Sequence, residues 1–265
     1  MNHTHLSLVA AMAIGSLTMQ MAHAQPNATG TLLSATYGAD DFQGLGPCAG
    51  LIVDGVPVVF DRPVAATSIS VDDFVIVTAD GQRVTPLCAT FLPSINADEG
   101  QTILTQGLYG SPQASPVTVE IVGNIRSTDR AVNYRGTSTA IVPWEIGAVL
   151  VYAQRLGLNQ ALGGFDQCAN GTAQVVQLAF GSNAGNNFPN TEDYFSRFTV
   201  TLEDGSNVSP VGLADVTADN YLELCLDVST PAVAISIAAD TITDASGQCN
   251  EVTLSGPITL SGPID

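Results

Sequence analysis

The chain has 265 residues, with 7 basic against 25 acidic side chains and a formal charge of −18. All seven basic residues are Arg, and the three His and four Met all lie within the first 24 positions, so no Lys, His or Met occurs beyond them. That excludes Ser-His-Asp and Cys-His nucleophiles, Schiff-base or phosphate-loop lysines and imidazole or thioether copper sites, and it disfavours nucleic acid and anionic membranes as partners.

Residues 1–24 read as a signal peptide. The run LSLVAAMAIGSLTMQMA is apolar, and Ala22-His23-Ala24 fits the small-x-small cleavage rule. No later stretch is long and apolar enough to serve as a transmembrane segment, which needs about 20 residues. The rest of the chain is expected to be secreted, periplasmic or at the cell surface. Its composition is that of a folded β protein, since hydrophobic residues make up 45% and the apolar runs are short and rich in Val and Ile.

Along the chain, LIVDGVPVVF (51–60) reads as two short strands around an Asp54-Gly55 turn, a pair that tolerates positive φ. Phe74 and Ile76 alternate with other residues in a strand that turns at Asp80-Gly81. Further strands are expected at 101–106, 117–122, 148–154 and 173–180. The strand from Phe198 turns at Asp204-Gly205, and two more are expected at 221–227 and 232–238. No long amphipathic helix is expected.

The chain also repeats itself. FVIVTADGQRVTP (74–86) matches FTVTLEDGSNVSP (198–210) without a gap, and Cys48-Ala49 and Phe60 match Cys168-Ala169 and Phe180 at an offset of 120. GTLLSATY from Gly30 matches GAVLVYAQ from Gly147 at 117, and SPVTVEIV from Ser115 matches TPAVAISI from Thr230 at 115. Two modules, 25–124 and 144–265, joined by a connector at 125–143, follow from these offsets. About seven strands in about 100 residues points to an Ig-like antiparallel β-sandwich in each module. The fold class expected is therefore all-β, with two tandem Ig-like sandwiches after a signal peptide.

Residues 57–84, PVVFDRPVAATSISVDDFVIVTADGQRV, resemble the bacterial Ig-like modules of secreted and surface proteins. The resemblance rests on Phe60, Asp61, Pro63, Asp73, Phe74 and Asp80-Gly81. In the second module the Phe180 strand and the hairpin match, while GSNAGNNFPNTED replaces the Pro step. These motifs are structural, so the resemblance implies a fold and names no ligand.

Cys48, Cys88, Cys168, Cys225 and Cys249 show no CxxC spacing and have no His to join them, so disulfides are expected rather than zinc. Cys48 is expected to pair with Cys88, and Cys168 with either Cys225 or Cys249. Cys88 aligns with Gly212 and Cys225 falls near Leu104, so the two bridges must differ. One thiol is left over as a buried spectator.

Carboxylates are the remaining source of chemistry. The loops holding Asp98 and Glu99, and Asp215 and Asp219, place oxygen ligands close together as calcium requires. Adjacent acids could also serve a glycosidase, though sequence neighbours on a strand point to opposite faces. The connector reverses the charge: it holds Arg126, Arg130 and Arg135 against Asp129, a balance of +2 between modules of −8 and −12. Arg130 and Arg135 with Tyr134 and Trp144 form a candidate ligand site at the junction. The alternative is that these arginines tie the two acidic modules together. The function expected is non-catalytic binding or structural work, with loops presented to a protein, glycan or matrix partner and with calcium as a candidate cofactor. The alternative is a carboxylate-based extracellular enzyme acting on polysaccharide.

Overall fold

The computed structural model describes residues 28–94, 96, 98–110, 114–143, 147–156, 168, 171–181, 191–214, 219–244 and 247–260. The expected signal peptide, Trp144 and Asp215 lie outside them. The protein is all-β. In the first half, β1 (Ala28–Thr29), β2 (Leu32–Tyr37), β3 (Ala39–Gln43), β4 (Ile52–Phe60), β5 (Phe74–Thr78) and β6 (Arg83–Val84) lead to β7 (Cys88–Thr90) and β8 (Thr102–Gly107). Then come β9 (Pro116–Ile121), β10 (Val132–Asn133), β11 (Ser138–Ala140) and β12 (Val142–Pro143). The second half comprises β13 (Leu150–Leu156), β14 (Gln174–Phe180), β15 (Phe198–Leu202), β16 (Asn207–Val208), β17 (Gly212–Leu213), β18 (Tyr221–Leu226), β19 (Ala232–Ile237) and β20 (Leu254–Leu260). The α-helix seen among the described residues, α1 (Glu192–Phe195), is a single turn capped by the Thr191 side chain. No helix among them is long and apolar enough to cross a membrane.

Strand order is the same in the two halves. The first has sheets β6-β5-β9-β11 and β12-β2-β4-β8-β7, with β3 also paired to β4; the second runs β16-β15-β19-β20-β13-β14-β18-β17 as one sheet. The strand that closes each half is the informative one. β20 pairs antiparallel with β19 through Leu254–Pro257, then parallel with β13 through Ile258–Leu260. In the first half β11 pairs antiparallel with β9 and β12 parallel with β2, so 138–143 does in two pieces what β20 does in one. Residues 125–143, read as a connector from the offsets of the repeat, therefore supply strands to the sheets of the first half.

Local chemistry explains the turns. Gly81 and Gly205 have φ of 84° and 83°, a conformation only glycine adopts without strain. The preceding Asp80 and Asp204 carboxylates accept the N–H two residues on, from Gln82 at 3.3 Å and Ser206 at 2.9 Å. Asp54-Gly55, in contrast, makes no turn, which corrects the expectation of a hairpin there. β4 runs straight through it, and Asp54 to Val59 pair residue by residue with β8. The Asp54 carboxylate accepts the N–H of Tyr109 at 2.9 Å and of Asp41 at 3.3 Å, so it braces neighbouring strands. A D-G pair reverses the chain when its flanks pair with each other; here both flanks have a longer partner in β8.

Burial also gives the register in which the two halves correspond. β9 and β19 show the same sequence of buried and exposed positions, and Phe74 faces Ile121 as Phe198 faces Ile237. The offset there is 116, one more than the sequence match suggested. A one-residue slip would turn every core side chain outward.

Each half has its own core. Phe60, Phe74, Ile76, Ile103 and Ile121 fill the first, and Leu178, Phe180, Phe198, Leu222 and Ile237 the second. The central strands β4, β8, β14 and β18 are buried on both faces, apart from Ile52 at the start of β4. Their second faces meet the disulfides and the other half. Cys48 bonds Cys88 beside Val53, and Cys168 bonds Cys225 beside Val175. The bridges differ by one strand. Cys88 lies opposite Gln106, whereas Cys225 lies opposite Gly212, so the second sulfur has crossed from β7 to its neighbour position on β18. Cys225 thus corresponds to Gln106 rather than Leu104. Cys249 is the remaining thiol, half-buried beside Thr243.

Candidate functional site

Of the residues proposed for a junction site, Arg130, Tyr134 and Arg135 are described, and they serve separate surroundings. Tyr134 is 0% exposed, its ring lies edge-on to Phe60 at 4.8 Å, and its hydroxyl donates to Asp61 at 2.7 Å. It belongs to the first core and presents no face to a ligand. Arg130 is exposed on a turn with φ of 56°. Arg135, also exposed, borders a shallow depression with Glu120 and Ser138. Among the described residues, none of these arginines forms an ion pair across the halves. The two ion pairs among the described residues are Arg62 with Asp129 at 3.2 Å and Arg83 with Glu120 at 2.6 Å, both inside the first half.

The calcium candidates are placed differently from expectation. Asp98, Glu99 and Asp219 are 3%, 1% and 1% exposed. The Glu99 carboxylate is turned onto Asn96, accepting its backbone N–H at 2.8 Å and its side-chain amide at 2.9 Å. Asp219 accepts the Tyr221 N–H at 2.8 Å. Among the described residues no group of three or more Asp, Glu, His or Cys side chains is arranged to hold a metal ion.

What these residues do share is a buried polar seam between the halves. Thr102 and Tyr221 open β8 and β18, so they occupy corresponding positions, and their hydroxyls share a hydrogen bond of 2.7 Å. Such like-with-like contact marks the axis of a two-fold arrangement. Around it, Asn220 donates to the Thr102 hydroxyl at 2.9 Å and to the Phe180 carbonyl at 3.1 Å, and accepts from Ser94 at 3.1 Å. The Tyr221 hydroxyl donates to the Glu99 carbonyl at 2.9 Å. Gln154 donates to Gln177 at 2.7 Å and to Gln101 at 3.2 Å, and the Thr36 hydroxyl donates to the Gly181 carbonyl. Buried polar groups bonded across the halves in this way hold one relative placement, because sliding would break several bonds at once.

Along one side of the seam runs a cleft of about 450 Å³. Arg62, Asp61 and Asp129 line one wall, Val151, Tyr152 and Gln154 the other, with Gln101 between. Arg62 escaped the sequence reading because it sits in a strand-to-turn step and not in the Arg-rich segment; its ion pair with Asp129 joins the two regions.

The cleft carboxylates are committed to the fold. Asp61 accepts from Tyr134 and from the Thr31 N–H at 3.2 Å. Asp129 accepts from the Ser127 hydroxyl at 2.5 Å and the Ala131 N–H at 3.0 Å besides Arg62, and the Ser127 bond foremost holds its pKa below the usual carboxylate value. A glycosidase needs a carboxylic acid whose pKa is raised so that it can donate a proton. Asp80, Glu120 and Asp204 are likewise held below their usual values. The cleft presents the Arg62 guanidinium and the Tyr152 ring, while the Gln101 and Gln154 amide N–H groups are bonded within the seam, and Asp129 is poorly suited to acid catalysis. No protein-family model matches the chain, and no curated protein matches it.

Proposed function

We propose that this chain is a secreted or cell-surface binding protein without catalytic activity, made of two duplicated Ig-like modules behind a cleaved leader, whose inter-module cleft holds a neutral glycan. The observation that carries this reading is the cleft itself: Gln101, Gln154, Tyr152 and the Arg62–Asp129 pair line a groove fixed by the seam. The Arg62 guanidinium and the Tyr152 ring match the hydroxyl groups and apolar faces of a sugar. Matching strand orders support the duplication, and the two disulfides support an oxidising compartment.

The test is a glycan array with the chain lacking residues 1–24, followed by incubation of any bound glycan and assay for new reducing ends. Binding without hydrolysis is expected, weakened about tenfold by Arg62→Gln while the melting temperature holds. Release of reducing ends that disappears in Asp61→Asn or Asp129→Asn would overturn the reading in favour of a polysaccharide-cleaving enzyme.

A further inference from the structure

A second cavity shares no residue with the cleft. It is an apolar pocket of about 300 Å³ on the outer face of the first-half sheet, floored by Pro57 of β4 and Leu104 of β8. Phe42 and Phe91 wall it, and Asp219 and Asn220 close one end.

Comparison of the halves shows why it exists. Through the strand pairings, Pro57 and Leu104 correspond to Gln177 and Glu223. In the second half that face is polar and covered, since Gln177 is 0% exposed and its amide reaches the Asp98 carbonyl at 3.4 Å. In the first half the same positions are apolar, and among the described residues of the second half Asp219 and Asn220 line one end. The walls are built rather than collapsed. Gly55 has no side chain where a Cβ would stand 2.9 Å from Phe42 and 3.2 Å from Leu104, so the two converge over it. Leu45, on the rim, is gripped by Gln106, which accepts its N–H at 2.6 Å and donates to its carbonyl at 3.0 Å. The Cys48–Cys88 bond ties the same segment to β7.

We propose that this pocket is a binding site for a small uncharged aromatic molecule. Aromatic rings and proline faces complement a flat apolar ring, and 300 Å³ is the lower end of small-ligand sites. The amide at the closed end is already spent, because Asn220 uses both donors and accepts from Ser94. No Arg lines the pocket, so an anion entering it would lose its hydration without gaining an ion pair.

Titration of the whole protein with neutral N-phenyl-1-naphthylamine and with its anionic relative 8-anilinonaphthalene-1-sulfonate tests this. One saturable site for the neutral dye is expected, with the anion about tenfold weaker or more. Ala39→Trp, which fills the pocket, and Leu104→Gln, which gives its floor the polarity of the other half, should each weaken the neutral dye about tenfold or more. In the unaltered protein, methyl NMR shifts on dye addition should centre on Leu45, Leu92 and Leu104. Multiple weak sites, equal affinity for the anion, or shifts centred elsewhere would each overturn the proposal, whatever the variants' stability.

Discussion

Replacing Asn220 by Ala should loosen the seam more than any other single truncation there. The carboxamide makes three hydrogen bonds at 2.9, 3.1 and 3.1 Å, to Thr102, Phe180 and Ser94, which lie 118, 40 and 126 residues away. Thr102 keeps its bond to Tyr221, so its loss is small. The Ser94 hydroxyl and the Phe180 carbonyl each lose a side-chain partner in a buried position, and each such loss costs about 1–3 kcal/mol. The sum expected is about 2–6 kcal/mol. Urea unfolding followed by far-UV circular dichroism measures it, with the slope of the transition unchanged. A cycle with Ser94→Ala should show a coupling of about 1 kcal/mol, since the two side chains share a bond. A loss below about 1 kcal/mol, or strict additivity with Ser94→Ala, would refute the claim that this network fixes the halves.

Three further outcomes are expected. Opening Cys48–Cys88 or Cys168–Cys225 by paired Ser substitution frees loops of 40 and 57 residues, which chain entropy values at about 4 kcal/mol each. Calorimetry should therefore show two comparable drops in melting temperature rather than one dominant bridge. Gly55→Ala should cost about 1–3 kcal/mol by overpacking, because the new methyl would stand 2.9 Å from the Phe42 ring, and the neutral-dye site should weaken with it. Stability should fall at both ends of the pH scale. Tyr109, Tyr134, Tyr152, Tyr194 and Tyr221 have pKa values raised above 10.0, chiefly by burial, so the stability linked to them is complete below pH 10.0 and is lost as pH rises through the folded values. Asp80, Asp129, Asp204 and Glu120 have lowered values, so their contribution is present above 3.8 for the aspartates and 4.5 for the glutamate and fades as pH falls below. A melting temperature that already declines between pH 7 and 8 would count against this assignment.

The parts of the fold that local chemistry decides were legible in the sequence. The turns at Asp80-Gly81 and Asp204-Gly205 follow from side chains two residues from the groups they satisfy, and β8, β9, β14, β18 and β19 fall within one or two residues of their expected spans. Cys48 with Cys88 was legible too, but the choice between Cys225 and Cys249 needed the pairing of β17 with β18. Misreadings arose where distant contacts override local ones. Asp54-Gly55 has turn chemistry, yet six residues of β4 find partners in β8. Residues 125–143 carry an arresting charge pattern, but their structural meaning lies in small alternating residues that pair with β9 and β2. Tyr134 reads as an exposed aromatic among arginines until Asp61, 73 positions earlier, is found to hold its hydroxyl. The seam has no signature at all along the chain, because its partners are glutamines, threonines and asparagines that individually look like surface residues.

The strand that closes the second half sets an order of events during synthesis. Among the described residues β20 comes last in the chain, and there it supplies the hydrogen-bonded link by which β19 and β13 join into one sheet. Until it leaves the ribosome, β13 and β19 each present an unsatisfied edge to the surroundings. The first half faces no such delay, since its own closing strands precede β13. A ribosome stalled before Leu254 would therefore expose a finished first half joined to an open second one, and a chaperone or protease that surveys nascent chains would meet those two open edges.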